Sequence, residues 1–147
     1  MTAEHRAGAE RWARTWKAAW EALDPEPIVA LYAADAVFST EPFREAYRGR
    51  AGVRDYVERV FGEEEDVRVH VSAPIVDGDR ASISWWASLR ESGRTITLAG
   101  TSVLRFGPAG TVVEQWDTWN SLPERRDPPA TSRTPFVGST GEGSATA

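Results

Sequence analysis

The sequence contains no cysteine in 147 residues, which excludes a disulfide framework and any thiolate metal site, so stability has to come from packing. Lysine is almost as scarce, with Lys17 alone, and the arginines are scattered rather than gathered into a stripe, on a chain of net charge −5. A surface of that sign repels nucleic acid. Long apolar runs are missing too. Residues 1–11 include Glu4, His5, Arg6 and Glu10, so they cannot form a secretory apolar segment, and nothing later is long enough to span a bilayer. The expectation is a cytoplasmic protein with neither a nucleic-acid nor a membrane partner. No phosphate-binding glycine loop, dinucleotide fingerprint, His-Glu-x-x-His motif or acidic calcium loop occurs, and Gly49-Arg50-Ala51-Gly52 is too short to cradle a pyrophosphate. No cofactor and no metal are therefore expected.

What is present is enough apolar residue content, 41%, to bury one core in a chain of one-domain length. Ala9, Trp12, Ala13, Trp16, Ala19, Trp20 and Leu23 recur at three- and four-residue steps, which predicts a helix carrying three tryptophans on one side. Asp24, Pro25 and Glu26 read as an N-cap, a first-turn proline and an acid at the positive end of a short second helix, with Ile28, Leu31 and Tyr32 on its buried face. A short strand over 36–40 and a polar loop follow. Val53, Tyr56, Val57, Val60 and Phe61 then mark a third helix from about residue 51.

Thereafter the period becomes two. Val67, Val69, Val71, Ala73 and Ile75 alternate with polar residues up to a turn at Asp77-Gly78, and further breaks at Ser92-Gly93 and Gly107–Gly110 delimit strands over 80–90, 95–106 and 111–120. Four such strands make an antiparallel meander. They are nearly twice the usual length, so the sheet must twist hard, and Gly100 is a natural bending point. Helices first and an antiparallel run afterwards indicate an α+β fold with three N-terminal helices on the concave face of a strongly curved sheet and a pocket between them. The expected division is a flexible 1–9, a domain over 10–122, and a 123–147 tail too rich in Pro, Ser, Thr and Gly to repay its ordering entropy, in which Phe136 and Val137 are the candidates for docking.

The run from Ile28 to Phe38 after the Asp24-Pro25 break, Gly49 opening the third helix, and the ending Gly110-Thr111-Val112-Val113-Glu114-Gln115-Trp116-Asp117 together resemble the nuclear transport factor 2-like superfamily, closest to its SnoaL-like branch. The resemblance covers roughly residues 10–121 and implies a cone-shaped α+β barrel around a cavity. It implies no single reaction, because the superfamily includes ketosteroid isomerases, polyketide cyclases, epoxide hydrolases, dehydratases and members that only bind or dimerise.

Position by position, the isomerase base and its two oxyanion donors fall here on Thr40, Trp16 and Ser102, none of which can fill those roles at neutral pH. The acid that cyclases carry on the last strand corresponds to Asp117, while their histidine on the preceding strand is absent from Val103-Leu104-Arg105-Phe106. Asp117 shares a strand face, by parity, with Val113, Gln115 and Trp119, where burial would raise its pKa. Its alternative role is structural, paired with Arg44 or Arg105. Arg44 and Glu41, in the loop at the expected pocket mouth, are the other catalytic candidates, one as an anion clamp and one as a weaker base.

The candidate ligand-binding set is Trp16, Trp20, Tyr32, Thr40, Tyr56, Trp85, Ser102, Gln115 and Trp119, with core packing the competing role for both tyrosines. His5 and His70 are too far apart for a triad or a metal. Adjacent Trp85 and Trp86 must point to opposite faces, so one lines the pocket and the other needs a cover, which a homodimer through the outer sheet face would supply. The resulting expectation is a pocket for a hydrophobic small molecule, with cofactor-free cyclisation, isomerisation or hydration using Asp117 as base. The alternative is a non-catalytic ligand-binding or dimerisation domain.

Overall fold

Helix α1 (Thr2–Ala22) is the longest helix of the computed structural model, which describes residues 2–130 and 136–137. It starts eight residues earlier than the domain start expected at residue 10. The lead-in over 1–9, expected to be flexible, is helical from Thr2 because Gly8 and Ala9 are buried and His5 stacks on Phe106 at 6.4 Å. One turn, α2 (Glu26–Val29), follows, and it is capped by Pro25 rather than Asp24, although Asp24 Oδ1 still accepts from the Glu26 backbone N–H at 3.1 Å. Tyr32 does not belong to this helix. It opens strand β1 (Tyr32–Ser39), which begins four residues before the expected 36–40 because it pairs in parallel with the last long strand from Tyr32 onward.

A two-residue strand β2 (Tyr47–Arg48) leads into α3 (Gly49–Phe61), where Gly49 adopts a φ of 69° and Arg50 Nε donates to the Tyr32 carbonyl at 2.8 Å. Then come β3 (Glu64–Ser72), β4 (Ile75–Asp77), β5 (Arg80–Glu91), β6 (Arg94–Phe106), β7 (Val112–Leu122) and β8 (Phe136–Val137). The strand expected to run from Val67 to Ile75 is thus two pieces, β3 and β4, that both pair with β5. The sheet runs β2-β1-β7-β6-β5-β3-β8, antiparallel at every step except β1–β7. The three helices pack on one face of this mixed, open sheet, as the α+β expectation required. Its core includes Ile28, Phe38, Val53, Val57, Ile83 and Leu104.

The β6–β7 ladder slips by one residue, with Arg105 opposite Glu114 but Phe106 opposite Val112. Val113 is the extra residue of this bulge, so strand parity fails there: Val112 faces the core and Val113 does not share the face of Asp117.

Segment 123–127 crosses the outer face. Thr97 Oγ1 donates to Glu124 O at 2.7 Å and accepts from the Arg126 N–H at 2.9 Å, while the Trp86 indole donates to Arg126 O at 2.7 Å. The Trp86 indole is thus held by a hydrogen bond from its own chain on the outer face, with the ring half-buried. Part of the tail is built into the sheet, since β8 pairs with β3 through Val71–Val137 and Ser72–Phe136; residues 131–135 and 138–147 lie outside the described residues. Among the described residues no helix is long and apolar enough to cross a membrane.

Gly100 is where β6 and β7 approach too closely for any side chain. A Cβ built there would lie 2.5 Å from Thr118 O and 2.7 Å from Trp119 Cβ and from Trp85 Cζ2. Gly100→Ala is expected to destabilise the fold by about 2 kcal/mol or more. A urea midpoint within error of the wild type would contradict that account of the close approach.

Candidate active site

Between helices and sheet lies a cavity of about 380 Å³. Its wall begins with α1, whose one-turn spacing places Trp12, Trp16 and Trp20 in a column, ring centroids 5.9 and 6.1 Å apart, and Trp85 of β5 continues the column 5.8 Å beyond Trp20. Trp85 is therefore the pocket-facing member of its pair. Phe38, Val57, Val69, Ile96 and Leu98 supply much of the aliphatic and aromatic remainder.

Into this wall is set one continuous line of hydrogen bonds. Trp12 and Trp16 donate their indole N–H groups to Tyr32 Oη at 3.3 and 3.1 Å, and Tyr32 donates in turn to Gln115 Oε1. Gln115 Nε2 donates to Asp117 Oδ1 at 3.0 Å. From the other side Trp85 donates to Ser102 Oγ at 3.0 Å, and Ser102 donates to the same Asp117 Oδ1 at 2.7 Å. Both arms converge on one oxygen. Among the described residues Oδ2 has no protein donor, while the side chain lines the cavity.

Asp117 is paired with neither Arg44 nor Arg105, the two arginines considered as structural partners. Arg105 binds Glu114 at 3.1 Å on the outer face, and Arg44 binds Glu41 at 3.3 Å. Loss of hydration pushes the Asp117 pKa up to about 6, against the pull of the Gln115 and Ser102 hydrogen bonds.

The expected site residues Trp16, Trp20, Thr40, Tyr56, Trp85 and Ser102 line the cavity, as do Gln115, Asp117 and Trp119. Glu41 and Arg44 lie at its mouth, solvated and bound to each other, and Trp119 crosses toward them by donating to Thr40 O at 2.9 Å. Tyr32 is the exception. It is fully buried behind the wall, where its hydroxyl orients Gln115 instead of meeting a ligand.

Three lining acids, Glu63, Glu64 and Glu91, escaped the sequence reading, and Glu64 is the buried one. Glu64 is only 7% exposed, and the Trp20 indole donates to its Oε1 at 2.7 Å. Burial pushes its pKa up to about 7, opposed by that hydrogen bond and reinforced by Glu91 and Glu63. Its signal was weak because it sits in a Glu63-Glu64-Glu65-Asp66 run that reads as a solvated turn. A register shift between Glu65 and Arg68, with Asp66 at a φ of 53°, turns Glu64 inward. Trp12, Tyr47 and Arg59 are further lining residues the sequence did not single out. Among the described residues no group of three His, Asp or Glu side chains could hold a metal ion.

Two testable outcomes follow from this geometry. Tyr32→Phe leaves two indole donors and the Gln115 acceptor without their partner, and is expected to cost about 2–4 kcal/mol in urea unfolding. A loss below about 0.5 kcal/mol would show that the line is not a unit. Second, the folded state binds protons at Asp117 and Glu64 that the unfolded chain has already released, so stability falls as pH rises from about 4 to about 8. His70, whose pKa is lowered by burial and by Lys17, gives the opposite slope, but it cancels in a comparison with Asp117→Asn. That variant should gain on the order of 2 kcal/mol relative to wild type between pH 4 and pH 8. Parallel stability–pH curves would contradict it.

The SnoaL-like domain model matches residues 13–115. Among solved structures, a Catenulispora acidiphila protein of ketosteroid isomerase-like fold, in complex with trimethylamine, is 20% identical with a TM-score of 0.64, covering 72% of this chain and 82% of its own. SalBIII, an epoxide hydrolase/cyclase-like enzyme in pyran ring formation in the polyether salinomycin, is 16% identical with a TM-score of 0.67, covering 78% and 91%. An LEH-like epoxide hydrolase from M. tuberculosis is 17% identical with a TM-score of 0.64, covering 81% and 84%. At these identities the likeness is one of fold. No curated protein matches the sequence.

Proposed function

The chain belongs to the SnoaL-like domain family, and on that premise we propose that it is a cofactor-independent acid/base catalyst acting on a hydrophobic organic compound, with Asp117 as the base. The family's fold hosts cyclases, isomerases and epoxide hydrolases, so the reaction has to be argued from the site. One observation carries the reading: Asp117 lines an aromatic cavity with Gln115 and Ser102 clamping Oδ1 and, among the described residues, no protein donor on Oδ2. A base must be ionised at the working pH yet keen enough to take a proton, and a pKa of about 6 meets both needs near pH 7.

The two donors fix the rotamer and spread the charge, and the lining of indoles excludes water from the proton transfer. Oδ2 removes a proton from carbon beside a carbonyl to give an enolate, or from a hydroxyl whose oxygen forms a new C–O bond as the C–O bond of an epoxide breaks. The resulting carboxylic acid returns the proton to the enolate in the first case and to the released alkoxide in the second. Neither Thr40, Trp16 nor Ser102 supplies an isomerase-type acid or base. Of the two buried acids that line the cavity, Asp117 is the one held by two donors, and its pKa of about 6 leaves it mainly ionised at pH 7, whereas Glu64 is raised to about 7.

The minimal form of this reaction is proton exchange. With an apolar bicyclic ketone such as 2-decalone in D₂O, the wild-type chain is expected to speed deuterium incorporation beside the carbonyl, with a rate that climbs through pH 6. Asp117→Asn should lower the exchange rate about 10²- to 10⁴-fold and leave binding, read by tryptophan fluorescence, within about threefold. Exchange that is unaffected by the substitution would remove Asp117 from the role of base. A wild-type chain that binds the ketone without exchanging it would be the non-catalytic ligand-binding domain.

A further inference from the structure

We propose that the compound this cavity takes is an apolar molecule carrying an ammonium group, seated between the indoles of Trp20 and Trp85 and the carboxyl group of Glu64. This rests on the cavity reading above and adds the class of ligand.

The charge lining the cavity is unbalanced, and of its acids Glu64 is the least exposed to solvent. Five carboxyl side chains and two arginines line it. Arg44 is spent on Glu41 at the mouth, and Arg59 donates to Tyr47 Oη at 2.6 Å and lies 5.7 Å from the centre of the Tyr56 ring. Among the described residues no ion pair reaches Glu64 or Asp117. A buried acid without a basic partner either keeps its proton or is answered by a cation, and at a pH where Glu64 and Asp117 are ionised a ligand is what can supply that cation.

Glu64 is where the imbalance is greatest. It stands opposite Glu91 in the β3–β5 register, next to Glu63, and just past the C-terminus of α3, the negative end of the helix dipole. Its Oε1 is held by Trp20, and among the described residues Oε2 has no protein donor although the side chain lines the cavity. The adjoining wall is indole, the best aromatic partner for a cation. A neutral ligand would leave these charges unanswered, and an anionic one would be repelled by them.

Binding is tied to pH through the groups around both acids. Glu64 faces Glu63 from the α3–β3 turn, Glu91 from β5 and the Trp20 indole from α1, while Arg59 of α3 is held by Tyr47. Asp117 faces Tyr32 of β1, Tyr56 of α3 and Ser102 of β6, with Gln115 on its own strand. An ammonium group favours the ionised acids, so it binds more tightly as pH rises through 6 and 7.

The test compares benzyltrimethylammonium with its neutral isostere 2,2-dimethylpropylbenzene on the full chain, read by fluorescence of the five cavity tryptophans. At pH 8 the cation should bind about tenfold or more tightly than the isostere, and at pH 5 within about threefold. Glu64→Gln, which keeps an acceptor for Trp20, should cut the pH 8 preference at least about fivefold, through weaker binding of the cation. Equal binding of the two probes by the wild type at pH 8 overturns the inference, and so does a preference that Glu64→Gln leaves intact. The wild-type comparison needs no variant to fold. Binding of the isostere with intact ketone exchange, but no preference for the cation, sinks this inference alone; failure of both probes sinks the cavity reading with it.

Discussion

The Tyr32 hydroxyl is the atom on which the interior depends. It joins α1, β1 and β7 through polar contacts, accepting from two indoles and donating to Gln115. A buried hydroxyl without partners costs more than a made hydrogen bond returns, so its position fixes the depth at which the tryptophan column sits over the sheet. Gln115 has its oxygen occupied by Tyr32, which forces its N–H₂ toward Asp117. The orientation of the acid in the cavity is thus decided three residues away, in the packing of a helix on a sheet. Trp85 and Ser102 repeat the arrangement from the β5–β6 side, and the carboxylate is held between two halves of the core.

Much of this was legible from periodicity. The tryptophan stripe, the apolar stripe of α3 and the alternation of β3 each bury one face against a single partner surface, so burial leaves a repeating mark in the sequence. The β5, β6 and β7 hairpins were marked by their turns. What escaped lies where a long-range partner overrules the local pattern. Tyr32 fits the helical spacing after Ile28, yet the parallel ladder to Val112 claims it for a strand. Val113 fits the alternation of β7, yet the slip opposite Phe106 turns it out of the core.

Glu64 is the instructive omission in the site. In composition it is one of four consecutive acids, the usual mark of a solvated turn, and only the bulge at Asp66 reverses its direction. By contrast Asp117 was legible through the resemblance, which puts the cyclases' last-strand acid at that position, and parity placed it on one face with Gln115 and Trp119. Its lack of a basic partner could not be seen without the fold, because Arg44 and Arg105 were both free to reach it until Glu41 and Glu114 were found beside them.

Two acids with raised pKa values in one apolar cavity are a stability cost that the fold must carry whenever they are ionised. Replacing either by a neutral isostere would relieve that cost, so a sequence selected only for packing would not keep both. Their environments also push them apart: Asp117 receives two donors and stays near 6, whereas Glu64 receives one donor, faces two like charges and rises to about 7. At neutral pH the first is mainly a carboxylate and the second is divided between its two forms. A cavity arranged in this way offers a proton acceptor at the β7 end and a site of adjustable charge at the β3 end. The strain of holding both is best understood as belonging to the site and not to the fold.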